Sequence, residues 1–118
     1  MKLTEIEKHL SLTTVIERTK KNLDTDITTA YTGDLLSDIM GKAPDGSILV
    51  TIQAHKNTIA VATLKDCPAI IICNNQAISE DMKDAAKKEN IQLYSTLKNQ
   101  FEISGQLYTL LKLENKRL

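Results

Sequence analysis

Apolar and polar positions fall along this chain in short blocks whose period switches between helical and extended. Leu3, Ile6 and Leu10 share one helical face behind the Thr4–Glu7 pair of an S/T-x-x-E capping box, and predict a helix over residues 1–10 that packs as a lid or edge element. The β-branched run Thr13, Thr14, Val15, Ile16 predicts a strand over 12–17, ended by the polar stretch 18–22. Alternation at 27, 29 and 31 predicts a second strand. Leu35, Leu36, Ile39 and Met40 then form the core stripe of a helix that Asp34 caps and Gly41 ends, and Pro44, Asp45 and Gly46 make a turn.

Two nearly unbroken apolar runs follow, 48–52 and 69–73, the signature of strands covered on both faces. An Ala-rich helix over 58–65 lies between them, capped by Asn57 and stopped by Asp66 and Pro68. Ser79 opens the clearest helix: Glu80 and Asp81 fill its first turn, Lys87 and Lys88 its last, and Ile78, Met82, Ala85 and Ala86 its apolar face. A strand over 91–94 precedes a final helix that buries Ile103, Leu107, Leu110 and Leu111, and 114–118 read as a frayed tail.

Strands alternating with helices from residue 47 onward predict right-handed βαβ units. The expected fold class is α/β: a single compact domain over residues 1–118, its core spanning about 3–113, with a mostly parallel sheet and helices on both faces. In open parallel sheets ligands bind outside the carboxyl ends of the strands. Those ends carry Thr32, Gly33 and Asp34, then Gln53, His55 and Asn57, then Asn74, Asn75 and Gln76, then Ser95 and Thr96.

Composition narrows the function. Fifteen basic and fifteen acidic residues cancel, so no electrostatic footprint for nucleic acid or an anionic membrane is present, and at 3% aromatics no base-stacking platform is expected. No segment reaches the roughly 20 apolar residues of a membrane helix, and the amino terminus lacks the zones of a signal peptide. A reducing, cytoplasmic location is therefore expected. Cys67 and Cys73 read as buried small hydrophobes.

The sequence contains no G-x-x-x-x-G-K-[ST] loop, no G-x-G-x-x-G, no C-x-x-C and no H-E-x-x-H. Two thiols cannot complete a four-thiolate iron–sulfur cluster, and no cofactor or metal is expected. The Thr32-Gly33-Asp34 turn can present backbone N–H groups to an anion, although Asp34 reads first as an N-cap. Ser37 and Asp38 read either as solvated helix residues or as a polar rim. His55, just beyond a buried strand, suits hydrogen bonding, phosphate contact or acid–base work. An enzyme using His55 with Asp34 or Asp38 is the least favoured reading. Asn74, Ser95 and Thr96 can bond a base or ribose, and are equally ordinary turn residues.

The segments AYTGDLLSDIMG, VTIQAHKNTIAVA, AIIICNN and LYSTLKNQFEISGQLY together resemble a stand-alone domain of the DRTGG family, over about residues 3–113. Similar domains occur in the amino-terminal region of HPr kinase/phosphorylase, in phosphotransacetylases and in regulated inorganic pyrophosphatases. The Asp-Arg-Thr-Gly-Gly string is absent, its nearest counterpart being Thr32-Gly33-Asp34. The resemblance implies a non-catalytic regulatory or interaction domain that forms a homodimer. Its expected ligand is a small anion or an adenine nucleotide, held near Thr32, Gly33, Asp34, Ser37, Gln53, His55, Asn57, Asn74, Ser95 and Thr96. The alternative is an accessory subunit that docks on a hydrogenase-associated redox enzyme or a kinase and takes no small molecule.

Overall fold

The two unbroken apolar runs form β3 (Ile48–Thr51) and β4 (Ala69–Ile72), which lie side by side in the middle of a five-stranded sheet with every residue of both buried. This computed structural model describes residues 1–18, 22 and 24–116, side chains at 115 and 116 excepted. On either side of the central pair stand β2 (Ala30–Thr32) and β5 (Gln92–Ser95), and β1 (Thr13–Thr14) closes the far edge in the order β1-β5-β4-β3-β2. The four strands β2 to β5 run parallel, in a register that sets Val50 against Ile71 and Ile71 against Tyr94. Only β1 is antiparallel, pairing Thr13 with Ser95 and Thr14 with Tyr94.

Five helices among the described residues cover the sheet: α1 (Leu3–His9), α2 (Leu36–Lys42), α3 (Lys56–Leu64), α4 (Glu80–Lys88) and α5 (Gln100–Lys116). The parallel strands are neighbours in chain order, so right-handed crossovers bring α2, α3 and α4 to one face. There Ile39, Ile59, Val61, Ala62, Met82 and Ala86 pack on Leu49, Ile70, Ile72 and Leu93. The other face belongs to the first and last helices, whose Leu3, Ile6, Leu10, Ile103, Leu107 and Leu111 pack on Ile48, Val50, Ile71 and Tyr94. The expected α/β architecture, parallel βαβ units and helices on both faces are all present.

Several local expectations are corrected. The strand expected over 12–17 is only two residues long, and that expected over 27–31 is shifted to Ala30–Thr32 while Ile27 sinks into the core beside α1. At the start of α1 the Lys2 N–H donates to Glu5 Oε1 at 3.0 Å, so the predicted Thr4–Glu7 box does not form. Glu7 is turned inward, because it faces the sheet with Leu3, Ile6 and Leu10. It accepts from Tyr94 Oη at 2.9 Å, Thr14 Oγ1 at 3.3 Å and Arg18 Nε at 3.0 Å, with a second Arg18 bond from Nη2.

Leu35 and Met40 are exposed, leaving Ile39 and the partly buried Leu36 to anchor α2. Gly41 does not end that helix, which runs to Lys42. Neither Asp34 nor Asn57 is a helix cap. The N-cap positions belong to Leu35 and His55, and Asn57 lies exposed inside the first turn of α3. Ser79, by contrast, caps α4 as expected, its Oγ accepting from Met82 N at 3.2 Å. The predicted tail is helical through residue 116, and 117–118 lie outside the described residues.

Candidate functional site

Asp34 follows β2, beside the end of β3 and the start of α5, and its carboxylate is the hub of the strand-end region. Its Oδ1 accepts from Ile52 N at 3.0 Å, from Thr51 Oγ1 at 3.0 Å and from Gln100 Nε2 at 2.6 Å. Its carbonyl accepts from Gln53 Nε2 at 2.8 Å. A backbone N–H at the end of a buried parallel strand is the kind of donor that binds an external anion. Here the protein supplies its own carboxylate to that donor.

The neighbouring expected donors are also engaged. Gly33 N–H donates to Val50 O at 3.1 Å, so the Thr32-Gly33-Asp34 turn does not offer it to a ligand. A Cβ at Gly33 would meet nothing nearer than 3.5 Å, so the position is glycine without a tight approach to explain it. Thr32 Oγ1 lies 2.6 Å from Ser104 Oγ of α5. Gln53 N donates to Thr51 Oγ1 at 3.1 Å and Gln53 O accepts from Thr58 Oγ1 at 2.8 Å. His55 is exposed and holds the α3 entrance through its carbonyl, which accepts from Thr58 N at 3.0 Å. No hydrogen bond joins His55 to Asp34 or Asp38 among the described residues. Asp38 instead accepts from Tyr31 Oη at 2.5 Å and pairs with Lys42 at 3.3 Å; the tyrosine hydroxyl, followed by Lys42, holds its carboxyl below the usual range. Ser37 is exposed.

After β4 the chain leaves toward the three-helix face, and after β5 toward the two-helix face. Such a divergence opens a crevice in many parallel sheets. Here the two loops are stitched together, Asn74 N donating to Lys98 O at 3.0 Å and Asn75 N to Thr96 O at 2.9 Å. The stitch uses a tight turn in which Asn74 and Asn75 both take positive φ, at 61° and 50°. Thr96 is buried, and its Oγ1 accepts from Lys98 N at 3.2 Å; Ser95 is half-buried at the end of β5. Thr32 and Asn57 line separate grooves, one between the β2 edge and α5, the other between α3 and α4. The structure thus brings Asp34, Gln53 and Gln100 together, and leaves Ser37, His55, Asn57 and Asn74 on the surface.

The most exposed aromatic side chains among the described residues lie elsewhere. Asn99 Oδ1 accepts from Glu102 N at 2.9 Å and starts α5, which lies over β2 and β3. Its inward positions are Ile103, Leu107 and Leu111. The opposite stripe, at spacings of four, three and four, is Phe101, Gly105, Tyr108 and Lys112. Phe101 is 87% exposed, Tyr108 65%, and Leu97 just before the helix 79%. Lys112 Nζ sits 5.3 Å from the Tyr108 ring centre. Phe101 and Gly105 border a groove of about 450 Å³ shared with His9, Leu10, Gln106 and Thr109. Tyr108 and Lys112 border another of about 350 Å³, floored by Ala30 and Leu107 at the sheet edge. The sequence carried this signal as two aromatics seven residues apart, out of phase with the buried leucines.

Both thiols are buried and free. Burial raises the Cys67 value, and pushes Cys73 up to about 11, with the Asp34 charge adding to it. Among the described residues no group of three or more His, Cys, Asp or Glu side chains could hold a metal ion, and no helix is long and apolar enough to cross a membrane. Compared with protein-family models and with curated proteins, the chain matches none.

Proposed function

We propose that this protein is a non-catalytic interaction domain of the cytoplasm, which contacts another polypeptide through the outward face of α5. One contrast carries the reading. At the end of β3 the Asp34 carboxylate takes up Ile52 N–H, Thr51 Oγ1 and Gln100 Nε2, the donors that an anion there would use. Two of the four aromatic residues in the chain, Phe101 and Tyr108, meanwhile stand exposed on one helical stripe. Exposed aromatic stripes of this kind mark protein interfaces. The resemblance to DRTGG domains supports the same regulatory role.

Calorimetric titration of the full chain with adenine nucleotides and diadenosine polyphosphates tests this against a ligand at the strand ends. The expected result is no saturable heat. A saturable heat that Asp34→Ala or His55→Ala removes would move the function to the strand ends.

A further inference from the structure

We infer that the open edge of the sheet at β2 receives an extended segment of a partner polypeptide as a sixth strand, with two apolar side chains of that segment filling the groove between β2 and α5. The inference rests on the interaction reading above and adds the neighbouring strand edge to the face of α5. Three observations support it.

The first is the direction of the backbone. Between residues 25 and 33 the bonds to the rest of the protein come from odd-numbered residues. Thr25 O accepts from Leu3 N, Ile27 N donates to Met1 O, Thr29 O accepts from Ile48 N, and Gly33 N donates to Val50 O. Tyr31, opposite Leu49, completes the series within the parallel ladder. Thr28, Ala30 and Thr32 therefore aim their N–H and C=O groups away from the protein, where none meets a partner among the described residues. Such a row is a template for another extended chain about 4.8 Å away.

The second is that nothing guards this edge. Sheet edges are blunted by lysine, proline, a bulge or a covering loop. The stretch 27–32 has no proline, glycine or charged residue. At the opposite edge, β1 is two residues long and runs into Glu17 and Arg18.

The third is the shape of the groove. α5 starts at the carboxyl ends of the strands, where Gln100 reaches Asp34 and Ser104 lies beside Thr32, and it runs back along β2. From Ser104 to Lys112 the helix rises about 12 Å, and from Thr32 back to Thr28 the strand spans about 13 Å. These four residues line the groove of about 350 Å³, whose floor is Ala30 and Leu107. Its length is that of about four extended residues. Alternate side chains of an added strand face α5, so two of them, two residues apart, enter the apolar floor. Lys112 is the one charged residue lining the groove, and it calls for a carboxylate at the end of the segment beside Thr28. A helix laid in the same groove would leave the three outward backbone pairs of β2 unmet.

Hydrogen exchange on the full chain reads the edge directly. In the free protein the Ala30 and Thr32 amides should exchange at least about 100-fold faster than those of Tyr31 and Gly33. A peptide selected from a phage library of random short sequences should carry an apolar-x-apolar core with an acidic flank. It should bind with a micromolar dissociation constant and slow both outward amides at least about 10-fold. N-methylation of alternate peptide residues should abolish binding in one phase and spare it in the other. Ala30→Pro removes an outward N–H and should weaken binding at least about 10-fold. Thr28→Lys, a charge at an exposed edge position, should do the same even where the proline variant does not fold. Lys112→Glu should turn the selected flank from acidic to basic. A selection that yields no binder, a binder that leaves both amides fast, or one that tolerates N-methylation in both phases overturns the inference. Outward amides that slow with protein concentration alone put a second copy on the edge, and overturn it too. Binding lost with Phe101→Ala but untouched by both edge variants refutes the strand edge and keeps the interaction reading, whereas a saturable nucleotide heat refutes that reading without changing either amide.

Discussion

Glu7 shares the inward face of α1 with Leu3, Ile6 and Leu10, and a carboxylate can stay there because Arg18, Tyr94 and Thr14 all donate to it. The Arg18 hydrogen bond, opposed by burial and reinforced by Tyr94, holds its carboxyl below the usual glutamate value of 4.5. A group depressed in the folded state contributes stability above its unfolded value, and loses that contribution as pH falls through the folded one. Urea unfolding should therefore show stability declining as pH drops below about 4.5. Glu7→Gln should be less stable at neutral pH by ~1–2 kcal/mol, because one amide oxygen replaces the two carboxylate oxygens shared by Arg18, Tyr94 and Thr14 while the half-exposed Arg18 returns to water, and should show a flatter acid limb. Asp34→Ala makes a parallel case at the strand ends. It leaves Ile52 N–H, Thr51 and Gln100 without their shared acceptor, and chemical denaturation should report a loss of ~1–3 kcal/mol.

The helix entrances separate what short sequence windows reveal from what they hide. Ser79→Ala removes a real cap and should cost ~1 kcal/mol in a thermal melt. Asn57→Ala, at an exposed position that caps nothing, should stay within ~0.5 kcal/mol of wild type. Ser79 was legible because its partner, Met82, lies three residues on and the acidic first turn follows directly. Asp34 was not, because Ile52 and Gln100 lie 18 and 66 residues away, and no local rule couples such distant positions. The same limit explains the shortened strand at Thr13–Thr14. Its β-branched run favours extension, but as an edge strand it has a single neighbour, pairing with the last two residues of β5 and then through Val15 N to Leu93 O at 2.9 Å. The central strands were readable in full, since continuous apolar runs need no partner to declare themselves. The strand ends read as a ligand site for a related reason. Polar residues at the right topological place look alike whether they await a ligand or bond to each other.

At the scale of the molecule, the sheet is sealed on both sides, and the cysteines report the seal. Cys67 and Cys73 should resist a thiol reagent in buffer and both react once denaturant is added, because burial disfavours the thiolate of each and hides its sulfur. Rapid reaction of Cys73 in buffer would show that the β4 end opens in the native state. The two sides of the sheet are nonetheless built differently. One is laid down by helices interleaved with the strands they cover, while the other joins α1 to α5 from opposite ends of the sequence. On the ribosome this imposes an order of events. The strip of Leu3, Ile6 and Leu10 is made before Ile103 and Leu107, beside which it is buried and which are translated about 100 residues later, an interval of roughly 5–20 s. For that time the nascent chain carries an uncovered greasy strip, and a chaperone has a natural place to hold it.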